Sequence, residues 1–347
     1  MRQLEITGVR SVEWREAPDL ALAGDGEALV RPLAVAMCDL DAAFLNGDVP
    51  VGEPFPLGHE CVAEVVDVGD SVTSVAPGDR VVVPFQISCG ACDACAAGFT
   101  ASCLTVQRGS AYGMKPLGGD WGGALADRVR VPFADAMLVP LPGGVEPAVV
   151  ASVADNVPDG FRTVAEPLAR TPGAEVLVVG GFARSVGLYA AASAVALGAA
   201  RVVYADTDDG RLELAAAVGA EPVGVPLRDD GEADWPKKFG RFPVTVEASG
   251  DHAGMHSAIR STAPSGICTS VAIYFEPETP LPMLEMYTRG CTLHTSRVHA
   301  RVVIPQVLEL IEAGRLEPQR VTSAVVGFDD AVDALADPPT KLVLVPG

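Results

Sequence analysis

Four cysteines within fifteen residues constrain this chain more than any other feature. Cys89-Gly90-Ala91-Cys92-Asp93-Ala94-Cys95, followed by Cys103, is a C-x2-C-x2-C-x7-C run. Closed tetrahedral coordination by four thiolates is how structural zinc is held, and Gly90 and Gly98 supply the tight turns that let the sulfurs converge. An iron-sulfur cluster is the rival, but bacterial cluster runs end in C-x3-C-P, whereas here the last gap is x7 and no proline follows Cys103. Four unrelated thiols rarely fall into such spacing. The run therefore predicts a structural zinc lobe whose closed sphere leaves no position open to substrate.

The residues around the lobe narrow the setting. Met1-Arg2-Gln3-Leu4-Glu5 opens directly into an apolar alternation without a secretory pattern, so a cytoplasmic address is expected, and eight cysteines in a reducing compartment point to metal or catalysis rather than disulfides. Lys+Arg 25 against Asp+Glu 45 gives a net charge of -20, with no basic cluster longer than Lys237-Lys238. Nucleic acid is excluded as a partner by repulsion of its phosphates. The acidity suits either a solubilising surface or adaptation to high salt, which composition does not separate. The longest uncharged stretch, Ser185 to Ala200, has 16 residues rich in Ala, Ser and Gly, short of the ~20 apolar residues of a membrane span.

With 347 residues the chain has room for about two domains. The first part reads as short extended segments between Gly and Pro turn signals: 27–32, Cys61 to Val68, Asp79 to Pro84 and Ala126 to Val131, an all-β, barrel-like module. From about Pro158 strand and helix alternate. A strand over Glu175 to Val179 leads through a glycine turn into a helix over Val186 to Leu197. Arg201 to Asp206 precedes a helix over Gly210 to Val218, and Val244 to Glu247 precedes a helix over His252 to Thr262 and a strand over Ile267 to Ile273. The unit is βαβαβ-like, and its β-branched runs suit a doubly wound parallel sheet. A last helix, Ile304 to Ala313, and a strand, Lys341 to Val345, are expected to return to the first module. The expected class is α/β with domains at 1–156, 157–294 and 295–347.

Two further runs carry chemistry. Gly58-His59-Glu60 follows a proline-rich stretch (Pro50, Pro54, Pro56), with Cys38 upstream in Met37-Cys38-Asp39-Leu40-Asp41. One imidazole and one thiolate are two of the three protein ligands of an open, catalytic zinc; a His beside a Glu also serves as a satisfied structural residue, and the pair alone leaves both readings open. Val178 to Gly187 follows a strand and opens a helix, as a dinucleotide-binding turn must, without being a clean G-x-G-x-x-G. Gly181 and Gly187 frame it, with Arg184, Ser185 and Val186 between them. Backbone amides at the helix start suit a pyrophosphate, and Arg184 adds a charge-assisted contact; a plain strand-helix turn is the alternative. Asp206 tips the balance. It ends the next strand nineteen residues after Gly187, near the ~20 expected of the acidic residue on the adenosine ribose, where a carboxylate repels a 2′-phosphate. Thr207, Asp208 and Asp209 follow where an NADP enzyme places Arg or Lys, so NAD is expected over NADP.

The Gly-His-Glu run, the cysteine lobe, the switch from β to α/β and Val246-Glu247-Ala248-Ser249-Gly250 together resemble the zinc-dependent medium-chain alcohol dehydrogenase family along essentially the whole chain. Val83-Pro84-Phe85, Gly122-Gly123-Ala124 and Val131-Pro132-Phe133-Ala134-Asp135 are most similar to its branch of glutathione-independent formaldehyde dehydrogenases, although this chain is shorter. The resemblance implies a GroES-like β-barrel catalytic domain, a Rossmann cofactor domain, two zinc ions per chain, NAD, a small-molecule substrate, and assembly as a homodimer or homotetramer. It puts the catalytic ion on Cys38, His59 and Asp155, the last within Ser152 to Gly160, with Glu60 as an acidic neighbour or exchange ligand. Arg211 is similar to the family's basic residue beside the ribose and Lys341 to one that reaches the pyrophosphate, although both also read as solvated surface charges.

One position departs from the family. Two residues after the first zinc cysteine the family usually has Ser or Thr, whose hydroxyl passes the substrate proton outward; here it is Leu40, with neither donor nor acceptor. The proton then leaves by water or a carboxylate such as Asp39 or Asp41, or the reaction forms no alkoxide, as in reduction of an activated double bond or an iminium. The leading expectation is a zinc-dependent alcohol or aldehyde oxidoreductase. A dinucleotide-binding sensor without turnover is opposed by the intact ligand set. Trp121, Tyr112, Phe44, Tyr274 and Phe275 are candidates for an apolar pocket or for core packing.

Overall fold

The computed structural model describes residues 1–49, 52 and 54–347, so that Pro50 of the proline-rich stretch lies outside the described residues. The chain divides into two compact units, one of Met1–Pro158, Val298–Glu312 and Thr322–Gly347, the other of Asp159–Arg297 and Ala313–Val321.

In the first unit the strand Ala28–Ala36 is the hub, pairing antiparallel with Glu60–Val68, Leu342–Val345 and Val129–Val131. Pro32 has no amide to give to the ladder, and the register slips between Pro32 and Ala34, bending the strand there. The end of the strand beyond this register slip sets up the site. Ala36 pairs with Glu60 on one side and with Val343 on the other. Cys38, His59, Glu60 and Lys341 thereby reach one end of the sheet from three different strands. Ala34, Ala36, Ala151 and Val343 are buried together, and side chains this small let the 3-10 turn Ala151–Ala154 lie close to the sheet. Asp155 follows directly from that turn.

The second unit is a six-stranded, all-parallel sheet in the order Glu221–Gly224, Val202–Asp206, Val176–Val179, Phe242–Glu247, Thr262–Ser270, Thr292–Thr295. In chain order this is 3-2-1-4-5-6, the dinucleotide-binding order, with its switch point beside Val176–Val179. The strands Val176–Val179 and Val202–Asp206 are buried throughout, as their β-branched runs require. The sheet is longer than the sequence suggests because its edge strands, Glu221–Gly224 and Thr292–Thr295, are short and largely exposed and carry no hydrophobic signal. The helix Asn156–Arg170 also escapes sequence reading, since Pro158, Gly160 and Pro167 look like breakers. Pro158 sits in the first turn, where its missing amide costs nothing. Gly160 is required by close packing: a Cβ there would lie 2.6 Å from the Ala190 nitrogen of the helix Arg184–Ala196. Among the described residues no helix is long and apolar enough to cross a membrane.

Candidate active site

Cys38 is the N-cap of the helix Asp39–Asn46, and its amide donates to Asp41 Oδ2 at 2.9 Å. The other carboxylate oxygen, Asp41 Oδ1, lies 3.3 Å from His59 Nδ1, while His59 Nε2 faces Asp155 Oδ2 at 3.4 Å. One ligand atom from each of Cys38, His59, Glu60 and Asp155 falls within a cluster no wider than 4.8 Å. Asn156, 1% exposed, donates from Nδ2 to Cys38 Sγ at 3.2 Å and to Asp155 Oδ2 at 3.0 Å. Its Oδ1 accepts from Lys341 Nζ at 2.7 Å. Lys341 is fully buried, and Nζ also reaches Met37 O at 2.9 Å and both Glu60 oxygens at 2.8 and 3.0 Å.

Lys341 is therefore not a solvated charge, and its ammonium is directed into this cluster rather than toward a pyrophosphate. A buried carboxylate demands a partner, and the strand register supplies it. Asp41 is likewise no exit for a proton: it is fully buried and its two oxygens face His59 and the Cys38 amide.

Burial, reinforced by Asp155, pushes the Cys38 thiol up to about 12. Burial also lifts Glu60 to about 7 in spite of Lys341. Burial disfavours an imidazolium at His59, yet Asp41 and Asp155 outweigh it and hold the residue well above the usual histidine range. Acidic groups crowd a buried imidazole whose two nitrogens make no hydrogen bond of proper geometry. A sulfur, an imidazole nitrogen and carboxylate oxygens form a donor set suited to zinc, with Asp41 on the Nδ1 side of the ring and Nε2 facing Asp155.

The second group, Cys89, Cys92, Cys95 and Cys103, also falls within 4.8 Å. Its hydrogen bonds are local: Cys92 N to Cys89 Sγ, Cys89 N to Cys103 Sγ and Leu104 N to Cys92 Sγ, each 3.4 Å, and Thr105 Oγ1 to Cys89 Sγ at 3.1 Å. Burial raises the Cys89 thiol, but the bonds from Thr105 and the amides of Ala91 and Cys92 bring it down to about 6. Gly90 adopts φ +72°, and a Cβ there would stand 2.6 Å from that of Ala136.

In the second unit Gly180, Gly181 and Gly187 allow close approach. A Cβ at Gly180 would meet Asp206 Oδ2 at 2.4 Å, one at Gly181 the Ser249 oxygen at 2.7 Å, and one at Gly187 the Ala248 Cβ at 3.2 Å. Arg184 opens the helix, and Ser185 and Val186 are buried in its first turn. The amides of Phe182 and Ala183 donate to Ser249 O and Ala248 O, so this part of the loop is clasped by protein carbonyls rather than open to a phosphate. Glu247 holds the clasp, accepting from Ser249 N at 2.8 Å and Ser249 Oγ at 2.6 Å.

Asp206 is fully buried, and its oxygens accept from Arg211 Nε and Nη2 (2.8 and 2.6 Å), Tyr204 Oη (2.9 Å), Thr207 N (2.7 Å) and Asp208 N (3.1 Å). A carboxylate offers about four lone-pair sites, so five protein donors saturate it. The sequence expectation of a carboxylate open to ribose hydroxyls does not hold in this structure. Of the aromatic candidates, Tyr112 and Phe44 are core residues, Trp121 lines a cavity of about 290 Å³ that includes no residue of the cysteine lobe or of the mixed-ligand cluster, and Phe275 lies edge-on to Phe182. Asn156 is the residue that sequence reading missed; the one sign of it was its place beside Asp155.

Comparison with known proteins bears on these sites. Residues 24–143 match the model of the alcohol dehydrogenase GroES-like domain and residues 185–313 that of the zinc-binding dehydrogenases. A protein of Mycobacterium tuberculosis described as a "probable zinc-binding alcohol dehydrogenase" is 31% identical over 97% of this chain and 85% of its own length. The chain belongs to the zinc-dependent alcohol dehydrogenases of the medium-chain family. A glutathione-independent formaldehyde dehydrogenase of Pseudomonas aeruginosa is 38% identical over 57% of this chain and 50% of its own. Alcohol dehydrogenase TADH from Thermus sp. ATN1 superposes over the whole of both chains with a TM-score of 0.88 at 29% identity. As a member of this family the protein is a zinc-dependent oxidoreductase that uses a nicotinamide cofactor on a small-molecule substrate. The relatives favour that activity over a double-bond reductase and over a non-catalytic sensor.

Proposed function

We propose that the chain is an NAD-dependent alcohol or aldehyde dehydrogenase with a catalytic zinc on Cys38, His59 and Asp155 and a structural zinc on Cys89, Cys92, Cys95 and Cys103. The observation that carries this reading is the convergence of thiol, imidazole and carboxylate within 4.8 Å, with Nε2 of His59 turned toward Asp155. When bound, the metal supplies Lewis acidity toward a substrate oxygen and the nicotinamide a carbon that exchanges hydride. Asp41 holds the imidazole in place, and Lys341 keeps both oxygens of Glu60 engaged as the acidic neighbour. With Leu40 at the relay position and Asp41 committed to His59, the substrate proton leaves by water or Asp39. On this reading residues 1–156 and 295–347 form the catalytic domain and 157–294 the cofactor domain, except that Ala313–Val321 belongs with the second unit.

The preference for NAD is supported by the neutralisation of Arg211. Its guanidinium is spent on Asp206, and Asp208 and Asp209 follow, so the strand end offers no uncommitted cation for a 2′-phosphate. A homodimer or larger homo-oligomer is supported by the edge strand Thr292–Thr295 beside the helix Met283–Arg289, where Leu284 is 76% and Tyr287 85% exposed. The eight free cysteines accord with a cytoplasmic location.

Metal analysis should find two equivalents of zinc per chain, and an alcohol and aldehyde panel read at the NADH absorbance should find turnover. One equivalent or none would sink the two-site reading. Asp206→Ala frees the Arg211 guanidinium for a 2′-phosphate, a charge-assisted contact worth about 1.5–3 kcal/mol, so the kcat/KM ratio for NADP over NAD should rise about 10–100-fold. An unmoved ratio would mean that this pair does not set cofactor choice.

A further inference from the structure

We infer that Asn156 is a positioning residue of the mixed-ligand centre, its single amide presetting Cys38 and Asp155 as a donor pair and drawing charge from the Cys38 sulfur. This rests on the proposed ligand set and adds to it a residue outside that set.

The direction of the amide is fixed by chemistry. Lys341 Nζ is a donor only, so the amide oxygen 2.7 Å away must face it. The NH2 end then has no choice but to face the sulfur at 3.2 Å and the carboxylate at 3.0 Å. Lys341 is itself held by Met37 O and by both oxygens of Glu60, so the amide has no room to flip. Both polar ends of Asn156 are used in a site where the side chain is 1% exposed. Cys38 and Asp155 stand far apart in sequence, one at a helix cap and one after a 3-10 turn, and the Asn156 amide bonds to both.

An N–H directed at sulfur stabilises its lone pairs and makes it a weaker electron donor. A metal held by that sulfur keeps more of its positive charge for a substrate oxygen, the kind of tuning that partners outside the ligand set exert. The same two bonds hold Sγ and Oδ2 at a fixed separation before any ion arrives.

The test replaces the metal of the mixed-ligand centre with cobalt(II) while the cysteine lobe retains zinc. Two readouts are taken: the thiolate-to-cobalt charge-transfer absorption and the rate of cobalt loss to a chelator. Asn156→Leu keeps the volume and deletes both polar ends, while Asn156→Asp keeps an acceptor for Lys341 and replaces the donor by a charged oxygen, which raises the sulfur lone pairs in the same direction. Both variants should move the charge-transfer band to lower energy, because the sulfur lone pairs rise when the N–H bond is gone. Asn156→Leu should also lose cobalt about 10–100-fold faster, with the lobe zinc retained. If Asn156→Leu does not fold, the Asn156→Asp band alone decides. Bands at the wild-type energy would overturn the inference while leaving the ligand set standing. A wild-type chain with no thiolate-to-cobalt band from this centre would overturn the ligand set, and the role of Asn156 with it.

Discussion

In the cysteine lobe four sulfurs come from fifteen consecutive residues and take hydrogen bonds from that stretch and the two residues after it, from the amides of Cys89, Cys92 and Leu104 and the hydroxyl of Thr105. In the mixed-ligand centre the proposed ligands come from positions 38, 59 and 155, and the bonds that support them come from Asp41, Asn156 and Lys341. Within the local cluster the thiols diverge, Cys89 brought down to about 6 by its hydrogen bonds and Cys95 pushed up to about 12 by burial, whereas in the assembled one burial, reinforced by Asp155, pushes Cys38 up to about 12. A local cluster can tune its own sulfurs. An assembled one depends on the sheet register to bring its counter-charges.

That contrast predicts different failures. The largest effect should be His59→Ala: activity lost, one metal equivalent lost, and the fold and nicotinamide binding retained, as followed by turnover, metal content and circular dichroism. Persistent turnover would show that the chemistry does not use this centre. Cys103→Ser should do the reverse, costing the lobe its ion and much of the folding free energy that structural zinc supplies, which reaches about 10–16 kcal/mol in zinc-held peptides. A stable variant with two ions would break the comparison.

Lys341→Met should leave Glu60 buried without its cation and destabilise by about 3–5 kcal/mol in denaturant unfolding, with less loss once Glu60→Gln is added. The smallest effect should come from Asp135, an exposed carboxylate that accepts from Thr73 and Ser74 and anchors the short helix Ala134–Met137 against Gly90. The hydroxyl and amide of Ser74 hold it down at about 2. A depressed folded-state value means stability present above the ordinary carboxylate range and lost as pH falls through about 2. Asp135→Asn should cost less than about 1 kcal/mol at neutral pH and flatten the acid limb between about pH 4 and 2. A cost equal to that of Lys341→Met would mean that the lobe leans on its surroundings as heavily as the assembled centre does.

The same contrast explains what could be read from the sequence. The lobe was legible because its geometry is encoded in spacing alone. The parallel sheet was legible from β-branched runs at Val176–Val179 and Val202–Asp206, but its edge strands were not, because edges bury too little to need apolar side chains. Cys38 and His59 alone were ambiguous, and it took resemblance to a family to add Asp155. Asn156 and the inward course of Lys341 were hidden because a hydrogen bond over 185 residues leaves no periodic mark on either end. Asp206 was located correctly at its strand end, yet its occupation by Arg211 and Tyr204 depends on side-chain reach that no spacing rule carries.

The bond between Glu60 and Lys341 spans 281 positions. During synthesis at about 5–20 residues per second, Glu60 leaves the ribosome many seconds ahead of its cation. In that interval the acidic cluster stands without its lysine, and the strand that will complete its sheet has yet to be made. The lobe, finished by Thr105, is ready for its ion early. On the proposed ligand assignment, the lobe has all its sulfurs while the chain is still growing, whereas Glu60 gains its buried counter-charge only once Lys341 has been made.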